Sequence, residues 1–118
     1  MALKQIDHVS DDDRMNECID NCSEAAQVAE WCADECIGMS DAEMARCIRL
    51  CRDVADITTL HARFMARNSG YHAELAGTCA ELCEECADVC EEFEHNHCQA
   101  CAEVLRECAD SCRDMASV

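Results

Sequence analysis

The sequence contains no proline and only three glycines, so little in it interrupts a long helix. Ordinary core residues are scarce as well. Six leucines, five isoleucines, six valines and two phenylalanines are spread over 118 residues, and the net charge is −17. A composition of that kind predicts a disordered chain unless another residue type builds the core. Cations are few, with 9 Lys and Arg against 26 Asp and Glu. This excludes a nucleic-acid binder, which needs basic residues for phosphate, and disfavours an anionic membrane surface. No stretch approaches the roughly 18 apolar residues of a membrane span. The opening MALKQIDHVSDDD has no apolar leader region. A chain starting this way is expected in the cytoplasm, where thiols stay reduced. The length suits one domain, residues 1–118, rather than two.

What the sequence does have is alanine and 14 cysteines. Cysteine is among the most buried residue types, so here sulfur is expected where leucine normally sits. The cysteines recur at gaps of three, four or seven, which is the period of one helix face. In 79–112, CAELCEECADVCEEFEHNHCQACAEVLRECADSC, two such stripes flank the polar turn EHNH. Residues 18–51 supply a second hairpin of the same kind.

The spacing predicts an all-α protein with helices over about 11–37, 41–67, 71–93 and 97–117, and a short N-terminal arm over 1–9. Ser10 is the expected N-cap of the first helix and Gly38 its C′ residue. Ser40 with Glu43 forms a capping box for the second, Asn68-Ser69-Gly70 ends it, and Asn96 caps the fourth. Short connections make this an antiparallel up-down-up-down four-helix bundle with a cysteine-lined core. Threading the stripes gives tiers: Cys36, Cys47, Cys90 and Cys98 at the end holding the first and third loops, then Cys32, Cys51, Cys86 and Cys101. Ala29, Val54, Cys83 and Leu105 form a thin middle. Cys22, Cys79 and Cys108 follow, then Cys18 and Cys112 with His61. Apolar residues left outside the stripes suggest a homo-oligomer.

Thiolates are soft ligands that select Cu(I), zinc or iron–sulfur clusters. A CxxxC pair on a helix suits two-coordinate Cu(I), whereas zinc asks for four closed ligands. The loop-borne CxxCxxC pattern of iron–sulfur sites is absent. Fourteen buried thiolates cannot stand uncompensated. The empty protein must hold mostly neutral thiols, and loading must release protons. Monovalent copper with bridging sulfurs leaves such a core near neutral, at about seven to fourteen ions by ligand counting. A zinc or general soft-metal buffer and a disulfide-stapled structural bundle are the alternatives. His95 and His97, with Met39 and Met44, are candidate weaker ligands where copper enters, and His61 is one at the far end. No nucleophile–base pair or cofactor fingerprint points to an enzyme.

The CxxxC pairs on four predicted helices and the stretch HNHCQACAEVLRECADSC resemble the copper storage protein family, over residues 10 to 117. The resemblance implies high-capacity storage of Cu(I), multiple ions per chain, inside a four-helix bundle. It carries the thiol sites to Cys18, Cys22, Cys32, Cys36, Cys47, Cys51, Cys79, Cys83, Cys86, Cys90, Cys98, Cys101, Cys108 and Cys112. It also implies a cytosolic copper buffer in exchange with a copper chaperone or efflux system. The chain departs from a continuous cysteine column at Ala25, Ala29, Val54 and Thr58.

Overall fold

A computed structural model of the chain describes residues 12–39 and 42–116. Four helices run through them: α1 Asp13–Ile37, α2 Ala45–Ala66, α3 His72–Glu91 and α4 Asn96–Ala116. A single 3₁₀ turn, Ala42–Met44, leads into α2. Each helix packs against two neighbours in the ring α1–α2–α3–α4, an antiparallel four-helix bundle. No strand occurs among the described residues.

The predicted stripes are the buried faces. Met15, Cys18, Cys22, Ala25, Ala29, Cys32 and Cys36 of α1 are all buried, and so are Cys47, Cys51, Val54, Thr58, His61 and Met65 of α2. Ala33, Ala55, Ala76, Ala80, Ala87, Ala102 and Ala109 are buried beside them. Side chains this small occupy the seams and let neighbouring helices approach, which keeps the sulfurs of different helices within reach. The surface carries the charge. Arg106 bridges Glu84, Asp88 and Glu91 at 2.8–2.9 Å, and Arg113 ties the same Glu84 to α4. These contacts join α3 to α4.

The helix ends differ from the expected ones. Ser10 and the arm over 1–9 lie outside the described residues, as do Ser40 and Asp41 of the expected capping box. Asp12 caps α1, its Oδ1 accepting from the N–H of Arg14 (2.9 Å) and Met15 (3.4 Å). It is the third of the four polar residues that open the stretch SDDD, any of which can cap. Gly38 follows α1 in a right-handed conformation, φ −69°, so the helix ends without a left-handed residue. After α2 that role falls to Asn68, at φ 51°, a residue whose short amide tolerates this region. α4 begins at Asn96 itself, and the carbonyl of His95 accepts from Gln99 N–H at 3.1 Å. The cap position is therefore His95, not Asn96. α3 stops at Glu91 instead of running to Phe93, and Gln99 of α4 satisfies carbonyls at its end and in the turn that follows. Gln99 Nε2 donates to Phe93 O at 2.7 Å and Glu91 O at 3.3 Å.

Candidate metal centre

All 14 cysteines are buried and present as free thiols. Their sulfurs collect at the two ends of the bundle. At the end that holds the α1–α2 and α3–α4 loops, Cys32, Cys36, Cys47 and Cys98 form one quartet, and Cys32, Cys51, Cys90 and Cys101 another. The ligand atoms of each quartet lie within 4.8 Å of one another. Cys47 and Cys90 are 3.5 Å apart, Cys51 and Cys86 3.6 Å, and Cys36 and Cys98 3.9 Å. At the far end, Cys22, Cys79, Cys108 and Cys112 form a third quartet, and Cys18, Cys22 and Cys112 join His61 in a fourth. Cys112 is 3.5 Å from Cys79 and 3.8 Å from both Cys18 and Cys22.

These groups correct the flat tiers expected from residue counting. Cys90 belongs with Cys32, Cys51 and Cys101, while Cys86 reaches Cys51 but stands outside both loop-end quartets. Cys112 sits level with Cys22, Cys79 and Cys108 as well as with His61. The cause is geometric. Cysteines four residues apart are about 6 Å apart along a helix axis, so a sulfur from a neighbouring helix settles between two levels and is shared by both. The middle is as thin as expected: Ala29, Val54 and Leu105 are buried there, with Cys83 on α3. Thr58, also buried, spends its hydroxyl on the Val54 carbonyl at 2.6 Å.

The weaker candidates separate. His61 is fully buried, with Nδ1 3.5 Å from Cys22 Sγ and 3.6 Å from Cys112 Sγ. His97 is buried with Nε2 3.4 Å from Cys36 Sγ. His95 is exposed and stacks on His97, ring centroids 5.6 Å apart and planes 7° apart. Met39 is exposed, whereas Met44 is fully buried. Trp31, one of the apolar residues outside the predicted stripes, meets His97 edge-on at 6.0 Å. Only its position one residue before Cys32 hinted that it would border the thiols.

Crowding spreads the thiol acidities. Cys79 accepts S–H hydrogen bonds from Cys108 and Cys112 first, then Cys22 and Cys83, and these hold it far below the ordinary thiol range. The hydrogen bond with Cys101 pushes Cys51 far up, and that with Cys108 does the same to Cys83. Burial, with the charge of Cys32 beside it, pushes Cys98 up to about 12. Burial draws His61 down, but its hydrogen bond with Cys79 and the charges of Cys18, Cys79 and Cys108 outweigh this and raise its pKa. The thiols of each cluster thus share their protons through S–H hydrogen bonds. A cation that binds would replace those protons.

The sequence model described as "Copper storage protein" matches residues 11–117. The uncharacterized cysteine-rich protein YhjQ of Bacillus subtilis (strain 168) is 37% identical over 101 residues, covering 85% of this chain and 94% of that protein. Two solved structures superpose closely. The Cu(I)-bound copper storage protein BsCsp3 of Bacillus subtilis is 36% identical, with a TM-score of 0.84 over 87% of this chain and 98% of that one. A cytosolic copper storage protein from Streptomyces lividans, carrying five coppers, is 33% identical, with a TM-score of 0.82 over 89% and 93% of the two chains.

Proposed function

The chain belongs to the copper storage protein family, and we propose on that premise that it stores several Cu(I) ions on the thiolates of its bundle core. The observation that carries this reading is the set of 14 buried free thiols, twelve of them gathered into quartets that share members. Soft sulfur is the ligand Cu(I) prefers. A shared thiolate can bridge two monovalent ions, so the positive charge brought in approaches the negative charge exposed by deprotonation. A lone quartet would suffice for a single tetrahedral ion. Quartets that overlap through Cys32 at one end and through Cys22 and Cys112 at the other suit many ions held close together.

The 14 cysteines are the assigned ligands. His97 and His61 are added where the thiols need a further donor, and Met39, Met44 and His95 as weaker contacts on the way in. Copper enters at the loop end, where His95 and His97 form a stacked pair leading from the surface to Cys36. The strongly acidic surface raises the local concentration of cations there. Loading displaces thiol protons, so binding weakens as pH falls. The role is storage and not catalysis. The cytosolic setting of the Streptomyces lividans relative fits this chain as well, with copper supplied and withdrawn by a chaperone or efflux system. No described helix is long and apolar enough to cross a membrane. Trp31, Ile37, Leu60 and Tyr71 are exposed apolar residues that a homo-oligomer would cover in part, and sedimentation of the apo protein would detect one.

The decisive measurement is anaerobic titration of the reduced protein with Cu(I) against a competing chelator. The expected result is well over about four ions per chain, with nearly all binding lost when the cysteines are replaced by serine. Saturation at one or two ions would refute storage.

A further inference from the structure

Among the described residues, three of the four quartets are all sulfur, and one is not. Cys18, Cys22, Cys112 and His61 offer three thiols and an imidazole, all fully buried. We propose that this far-end site holds a divalent cation of the zinc class in tetrahedral coordination, through three sulfurs and His61 Nδ1.

The spacing supports this first. A tetrahedron with Zn–S of about 2.3 Å and Zn–N of about 2.0 Å has edges of about 3.8 Å between sulfurs and about 3.5 Å between sulfur and nitrogen. Cys112 lies 3.8 Å from both Cys18 and Cys22. His61 Nδ1 lies 3.5 Å from Cys22 and 3.6 Å from Cys112. Four of the six edges thus match such a tetrahedron, the two others, from Cys18 to Cys22 and to His61, lie within 4.8 Å, and the donors come from α1, α2 and α4.

Charge is the second support. Three thiolates around a dication leave a single net negative charge, and four leave two. Uncompensated buried charge is expensive, so the first divalent ion favours the quartet with the neutral imidazole. The reverse holds for a lone monovalent ion, which three thiolates overcompensate and which gains from shared, bridging sulfur instead. Imidazole also suits zinc, while thiolate alone is the softer environment.

The third support is His61 itself. Its Nε2 is buried with no hydrogen-bond partner among the described residues. A buried, unpaired imidazole nitrogen carries a desolvation cost, so no hydrogen bond there accounts for a histidine at this position. What the residue has is its other nitrogen, aimed between two sulfurs. Leucine, the ordinary core residue, would avoid the cost but could not contribute to a metal site. Sharing of Cys22 and Cys112 with the neighbouring quartet means that filling one far-end site alters the other, so one divalent ion is expected to occupy this end rather than two independent ones.

Zinc X-ray absorption of the reduced full chain with one equivalent of Zn(II), prepared without copper, tests the assignment. The expected shell is three sulfurs at about 2.3 Å and one nitrogen at about 2.0 Å. His61→Leu should convert it to sulfur only and weaken zinc binding at least about tenfold, judged from the loss seen when even supporting groups of metal sites are removed. An all-sulfur shell in the parent protein, an unchanged shell in His61→Leu, or no zinc binding at all overturns the proposal. Should circular dichroism show that His61→Leu is unfolded, Cys18→Ser reads the same site from α1. It must lose one sulfur from the shell, and three sulfurs remaining would overturn the assignment. Cu(I) capacity measured on the same preparations keeps the two readings apart, since failure of copper storage leaves the zinc shell intact and the converse also holds.

Discussion

The two ends of this bundle use the same element differently. At the loop end, two quartets meet at a single shared sulfur, Cys32, and the imidazole present, that of His97, stands outside them against Cys36. At the far end, two quartets share Cys22 and Cys112, and the imidazole of His61 is one of the four donors. The loop end is the broader array, reaching the surface through stacked histidines. The far end is tighter, sealed within the fully buried stripe. A cysteine-rich core is therefore not a uniform medium; how many sulfurs adjacent quartets share, and where histidine stands, set what each end can hold.

The largest effect that would sharpen the contrast is kinetic. Replacing His95 and His97 with alanine should slow Cu(I) loading by about tenfold, an effect of the size found for groups that support metal ligands, with capacity nearly unchanged. Stopped-flow loading followed by ultraviolet thiolate–copper absorption measures it. An unaltered rate would place the mouth at the other end. Next in size is Val54→Cys, which puts a sulfur of similar volume into the aliphatic band between the ends. It should add about one Cu(I) per chain by the same ligand counting, read by titration. If capacity stays fixed, the two ends are not separated by the lack of sulfur there. The smallest effect concerns the frame that holds both ends. Arg106→Ala removes the bridges to Glu84, Asp88 and Glu91 and should lower the apo Tm modestly, less so in high salt. Hydrogen bonding to Arg106 holds the Glu91 pKa below the ordinary carboxylate range. A group depressed in the folded state stabilises above its unfolded pKa and ceases to as pH falls through its folded one. The Tm difference between parent and variant should therefore narrow in acid.

Much of this was legible before any coordinates. The 3- and 4-residue recurrence of cysteine defined the buried face of each helix, because a face periodicity depends only on helical twist. Val54, Thr58 and His61 were placed along the core on that ground, and all are buried. What resisted reading was anything that depends on how one helix sits against another. Cys90 kept its expected neighbour Cys47 but also joined the Cys32, Cys51 and Cys101 level, because axial offset between helices is not written in either helix alone. Gln99 looked like one more polar residue after a cysteine, and its service to the end of α3 becomes visible only once the α3–α4 turn exists. Asp12 lost its role to Ser10 on paper because adjacent acidic and hydroxyl residues are nearly equivalent caps.

One feature of the middle has a consequence for traffic. On α1, α2 and α4 the band between the ends is hydrocarbon at Ala29, Val54 and Leu105, whereas α3 carries Cys83 and Cys86 across it. An ion admitted at the histidines and destined for the opposite end would thus have one helix to climb, in single file, with Cys83 as its last rung before Cys79 and Cys108.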